Sequence, residues 1–277
     1  MPDHEIALAS ATLRRPPPLP GILQGALLAL LFLLAAASWT LTDDRMGGMD
    51  AAPGSDLGDL GWFMVTWLTM MAAMMFPSLA PMVVMHARIQ RGRRERSGVA
   101  STVVFVTGYL ATWCAFGLLG YMVVEGVRSL DVGFLAWDEA GRYVAGGVIV
   151  AASLYELTAL KDACLRHCRN PQTLDEHWRP GPIGSLRMGV EHGGFCLGCC
   201  WALMAALFAV GVMSVGWMAF VAALIAIEKL APWRAVASRA VAVLLAVLGL
   251  AVAFVPEDVP GLTIPGAPGE SQMMMEQ

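Results

Sequence analysis

The segment HGGFCLGCCWALM, residues 192–204, places an imidazole, three thiols and a thioether in a run that is otherwise apolar or small. Residues three and four apart share a helical face. Steps of four, three, one and four therefore align His192, Cys196, Cys199, Cys200 and Met204 in one stripe. Thiolate and imidazole ligate zinc and copper, and thioether adds a preference for copper(I). The competing explanation is packing, because buried Cys behaves as a small hydrophobe and Gly193, Gly194 and Gly198 allow helices to approach closely. Three cysteines in five positions weigh towards ligation.

Two other segments carry compatible side chains. In WLTMMAAMMFPSLAPMVVMH, residues 67–86, Met70 faces with Met74 and Met71 with Met75, and Pro77 removes a backbone donor and predicts a kink beside them. A methionine stripe also packs membrane helices without binding anything. In YELTALKDACLRHCRNP, residues 155–171, a helix continuing to Asn170 would put Cys164, His167 and Cys168 on one face as a further set of ligands. The alternative is a basic interfacial helix lying against anionic headgroups. Glu156, Glu228 and Lys229 fall near predicted helix ends, where ion paths, headgroup anchoring and structural ion pairs compete as explanations. His86, next to the basic loop, reads as a solvated interfacial residue.

The elements that position these groups are membrane helices. Of 277 residues 57% are hydrophobic and 14% charged, and the mean hydropathy is +0.62, far from a soluble balance. A crossing takes ~20 apolar residues at ~1.5 Å each, because lipid cannot satisfy a bare backbone. Seven spans are expected, at 21–41, 61–86, 99–126, 142–160, 192–213, 215–231 and 235–255, forming an all-α polytopic bundle over residues 21–255. The sixth is the shortest and pairs with the fifth as a tight hairpin or a re-entrant pair. Residues 1–20 read as a Pro-rich cytoplasmic lead-in and 256–277 as a flexible periplasmic tail. Arg14 and Arg15 before an apolar run also suit an export signal, but the length of that run favours a retained helix.

Loop charge orients the bundle. Arg88, Arg91, Arg93, Arg94 and Arg96, and the basic stretch from Lys161 to Arg187, belong in the cytoplasm, while Asp43, Asp44, Asp50, Asp56 and Asp59 and the tail acids Glu257 and Asp258 belong outside. The expected setting is a bacterial inner membrane, amino terminus in and carboxyl terminus out. On these boundaries the zones of Met70 to Met75 and Cys196 to Cys200 meet near Met75 and Cys200, so one shared site forms if their helices are neighbours. Cys164 falls about a turn outside the bilayer, and joining it to Cys196 requires the chain to fold back.

The segments MMAAMMFPSLAPM, LYELTALKDACLRHCR, GGFCLGCCWALMAALFAVGVMS and IAIEKLAPW resemble the signature segments of the bacterial domain-of-unknown-function family 2182, predicted metal-binding integral membrane proteins. The resemblance spans roughly residues 60–235. It implies a metal-binding membrane protein and points to Met70, Met71, Met74, Met75, Cys164, Cys168, Cys196, Cys199, Cys200 and Glu228.

The function expected is binding, handing on or transport of a soft metal ion, copper(I) ahead of zinc, with the lipid bilayer and the ion as partners. One rival is a membrane thiol-disulfide oxidoreductase using Cys196 and Cys199, whose CLGC spacing would sit at a helix start and permit dithiol exchange. Another is a scaffold with no chemistry. No hydrolase triad, phosphate-binding Gly loop or nucleic-acid signature stands out in the chain.

Overall fold

The computed structural model describes residues 19–46, 58–93, 98–129, 140–211, 214–259 and 262. Its helices are α1 (Gly21–Met46), α2 (Leu60–Gly92), α3 (Gly98–Ser129), α4 (Arg142–Glu156), α5 (Ala159–Arg169), α6 (Thr173–Glu176), α7 (Gly181–Val210), α8 (Val215–Leu230) and α9 (Arg234–Phe254), followed by a 3-10 turn at Pro256–Asp258. No strand occurs among the described residues. Most of the Pro-rich lead-in and of the expected mobile tail lies outside them.

All seven expected spans fall on helices, but they are not alike. Among the described residues five helices are long and apolar enough to cross a membrane: Gly21–Arg45, Leu60–Gly92, Gly98–Gly126, Gly181–Val210 and Arg234–Phe254. A sixth span requires α4 and α5 together, and these are bent by 67°. Helix α8 has 16 residues, about 24 Å of rise against a hydrocarbon core of ~30 Å. Large apolar side chains such as Ile22, Leu33, Val103, Leu154, Val247 and Phe254 face outward, the surface that lipid covers.

Three local features explain the helix limits that matter for chemistry. Asp59 starts α2 by accepting from the backbone N–H of Gly61 at 2.8 Å and of Trp62 at 3.3 Å. Helix α2 then runs unbroken through Pro77 and Pro81, with the Ser78 hydroxyl donating to Met75 O at 2.9 Å in the turn where the proline donor is missing. Helix α7 begins at Gly181 with Pro182 in its first turn, well before the expected start at 192. The Cys-rich stripe is therefore inside a 30-residue helix, not at its amino end.

Helix α7 is the hub, packing against α3, α4, α5 and α8, while α1 lies on α2, α2 on α3 and α4 on α9. Its approach to α3 is so close that a methyl group on Gly189 would lie 2.0 Å from Phe105 O, so a glycine is required there. His86 ties three helices together. It is fully buried, with Nδ1 3.3 Å from Thr102 Oγ1 and Nε2 3.1 Å from Ser185 Oγ, which corrects its expected place in solvent: the turn of α2 that carries it is covered by α3 and α7.

Candidate metal centre

The centre forms because the chain turns back after α4. Thr158 opens α5 as its N-cap, its side chain accepting from Lys161 N at 3.3 Å, with Asp162 in the first turn. A continuous helix from Tyr155 to Asn170, as expected from the apolar run, is replaced by the break at Leu157 and Thr158. Helix α5 then lies against α7 over Gly198, where a methyl group would sit 2.7 Å from Cys164 Sγ. At its other end Arg169 donates to Glu228 O at 2.9 Å and Ala231 O at 2.6 Å. These carbonyls, at the end of α8, have no onward helical donor.

This docking brings Cys168 of α5 to Cys196 and Cys199 of α7, with the three sulfurs within 4.8 Å of one another. All three residues are buried, and the described cysteines are free thiols. Cys200 Sγ lies 3.3 Å from Cys199 Sγ but outside that group. Cys164 packs on Gly198, and His192 precedes the group by one turn of α7, its ring 6.0 Å from that of Tyr109. His167 stacks on Phe195 at 3.8 Å. Met70, Met71, Met74, Met75 and Met204 are buried in the same continuous core as the thiols.

Charged groups that the sequence placed at helix ends are inside the protein. Lys229 Nζ donates to Cys196 Sγ at 3.1 Å and to Ser78 Oγ at 3.1 Å, linking the thiols to the Met75 turn of α2. Tyr109 OH is 3.2 Å from the same sulfur. Lys161 Nζ bonds Glu156 and both carboxylate oxygens of Glu228, at 2.7 and 2.6 Å, with all three side chains at most 2% exposed. The array of Glu156, Glu228 and Lys161 sets one ammonium between two carboxylates, and direct pairing lowers the cost of keeping these groups in a membrane interior. Glu228 and Lys229 are adjacent in sequence yet serve different partners, one the ion-pair array and the other the thiols.

Sequence reasoning singled out the cysteines but not Lys229 or Tyr109 as partners of the centre. Lys229 was visible as a charge in an apolar helix. Sequence left ion path, headgroup anchoring and structural ion pair open for it; in the structure it bonds Cys196 and Ser78, while Arg169 caps the last turn of α8.

A family model described as PpoB2, copper chaperone, matches residues 64–252. The chain belongs to this copper chaperone family. The match runs from α2 to α9 and contains every residue of the centre. It agrees with the metal-related character implied by the resemblance, under a different family label. No curated protein and no solved structure matches the chain. Within the copper chaperone family's matched region, Cys168 comes from α5 and the CLGC pair from α7.

The arrangement is poorly suited to disulfide exchange. Cys196 and Cys199 are each 1% exposed, whereas exchange needs a sulfur accessible for in-line attack by a partner. Their mid-helix position also removes the helix-start activation on which the redox reading relied.

Proposed function

We propose that the protein is a membrane-embedded copper(I) chaperone, holding its cargo ion on Cys168, Cys196 and Cys199 and passing it to an acceptor. The observation that carries this reading is the convergence of three buried thiols from two separate helices. Soft thiolates favour copper(I), and three converging sulfurs offer it a complete three-coordinate set. A structural zinc ion takes four ligands, and no His, Asp or Glu joins the group among the described residues.

The side chains around the sulfurs fit that cargo. A copper(I) ion on three thiolates is anionic, and the Lys229 ammonium beside Cys196 offsets part of that charge where water cannot. Tyr109 supplies a neutral hydrogen bond to the same sulfur. The buried methionines of α2 and α7 keep the surroundings soft and apolar, and Met75 and Met204 are candidates to hold the ion as it leaves.

The same reading places the basic face, including α5 and α6, in the cytoplasm of a bacterial inner membrane, because Arg-rich short loops are retained there. Reporter fusions after Arg94 and Arg179 should behave as cytoplasmic, and one after Gly266 as exported. The binding reading is tested by titrating purified, reduced protein with copper(I) against a competing chelator. About one tightly held copper(I) per chain, with a thiolate-to-copper absorption band lost in a Cys168→Ser/Cys196→Ser/Cys199→Ser variant, is expected. An unchanged tight site in that variant would refute it.

A further inference from the structure

Between α5, α6 and α7 lies a cavity of about 290 Å³ whose walls include His167, His177, Met188, Glu191, His192 and Phe195. Its histidines are graded in depth: His177 at the end of α6 is exposed, His167 is half-buried and His192 is 6% exposed. They also approach the thiols in chain position. His167 adjoins Cys168, and His192 is one helical turn from Cys196.

The spacing of the outer two rings allows them to share one ion. Their centroids are 6.4 Å apart. Two imidazoles sharing one ion at ~2.0 Å from each nitrogen have ring centres roughly 6.3 Å apart when the nitrogen–metal–nitrogen angle is nearly straight, an arrangement that copper(I) accepts. His177 Nδ1 is 3.1 Å from Thr173 O. A carbonyl only accepts, so the ring proton sits on Nδ1 and Nε2 keeps its lone pair for a metal. Stacking of His167 on Phe195 holds the second ring in place.

The charge in the cavity selects against hard cations. Glu191 is bonded by Arg179 at 2.9 Å and Arg187 at 3.4 Å, so it does not act as an uncompensated carboxylate. What remains is imidazole, with the Met188 sulfur beside it accepting from Arg179 N at 3.3 Å; imidazole suits a soft ion and not calcium or magnesium.

We propose that this cavity is the loading vestibule of the thiol centre: His177 and His167 hold copper(I) in a two-coordinate outer site, and His192 passes it inward. The proposal rests on the thiol centre being the copper site. Transfer is ligand exchange. Copper–nitrogen bonds break as copper–sulfur bonds form, the ion stays in the +1 state, and each thiol that becomes a thiolate releases one proton to water in the vestibule.

Two measurements test it, with copper(I) supplied from a weak chelator as the probe. In stopped-flow loading, His177→Ala should slow the rise of the thiolate-to-copper band on the order of tenfold, and His167→Ala/His177→Ala should slow it further. His177 is exposed, so its replacement leaves the core intact; a parental rate in the double variant overturns the vestibule. In the Cys168→Ser/Cys196→Ser/Cys199→Ser variant, or Cys168→Ser with Cys196→Ala/Cys199→Ala if the first does not fold, a weaker copper(I) site bound through nitrogen should remain and disappear on adding His177→Ala. No copper in the Ser variant, with sulfur-bound copper in the parent, overturns the outer site and leaves the thiol centre standing. Nitrogen-bound copper in the Ser variant, with no sulfur-bound copper in the parent, supports the outer site and refutes the thiol centre together with its loading.

Discussion

Lys229→Met tests whether the ammonium beside the thiols supports the copper-bound state. Lys229 is half-buried near the end of α8, and its Nζ is 3.1 Å from Cys196 Sγ of α7 and from Ser78 Oγ of α2. A hydrogen bond to a charged partner contributes about 1.5–3 kcal/mol, equivalent to roughly 10- to 150-fold in affinity. Met retains the unbranched length and fills the site while removing the charge and the donor. Tyr109→Phe removes a hydrogen bond from the same sulfur, at 3.2 Å, but no formal charge, and should cost about 0.5–1.5 kcal/mol. The assay is copper(I) affinity by chelator competition on folded, reduced variants. Lys229→Met should be the weaker binder of the two. Parental affinity in folded Lys229→Met, or a larger loss in Tyr109→Phe, would refute the assignment of Lys229 as counter-charge.

The two cysteines of α5 should separate in their effects: Cys168→Ser removes one of the three converging sulfurs and should weaken copper(I) on the order of a hundredfold, whereas Cys164→Ser should change affinity much less. Equal losses in the two, by the same chelator competition, would contradict the geometry. Gly198→Ala introduces a methyl group 2.7 Å from Cys164 Sγ, so the thiol must rotate away or α5 must shift, and in the background of Cys164→Ala, which removes that sulfur, the cost should shrink; overpacking of this kind costs about 1–3 kcal/mol. Equal losses in thermal stability with and without Cys164→Ala would contradict this contact. Replacing Met70, Met71, Met74 and Met75 together by Leu conserves apolar volume and should slow copper(I) release to an acceptor without affecting zinc binding. A parental release rate would remove those thioethers from the transfer route.

The helical character and two of the converging cysteines were legible in sequence for direct reasons. Apolar runs as long as a bilayer needs favour helices, and three cysteines within five positions stand out in an apolar run. The union of Cys168 with Cys196 and Cys199 was not legible, because it depends on a 67° turn inside a segment whose hydropathy is continuous. Thr158 was the available signal, a capping residue followed by Asp162, masked by the apolar residues on both sides. Pro182 likewise marked the start of α7, but it fell within the basic stretch from Lys161 to Arg187 that was placed in the cytoplasm. Arg187 and Arg179 both pair with Glu191, which lets that first part of the helix carry charge at the polar end of the bundle. Lys229 escaped because sequence gives its distance from the helix end and not the helix that covers it.

The central claim is that copper(I) binds to three sulfurs brought together by α5 and α7. Copper K-edge X-ray absorption on the reduced, stoichiometrically loaded protein tests it most directly. Copper in the +1 state with a shell of about three sulfur neighbours, reduced by one in Cys168→Ser, is expected. A shell dominated by nitrogen or oxygen, or a sulfur shell indifferent to Cys168→Ser, would contradict it.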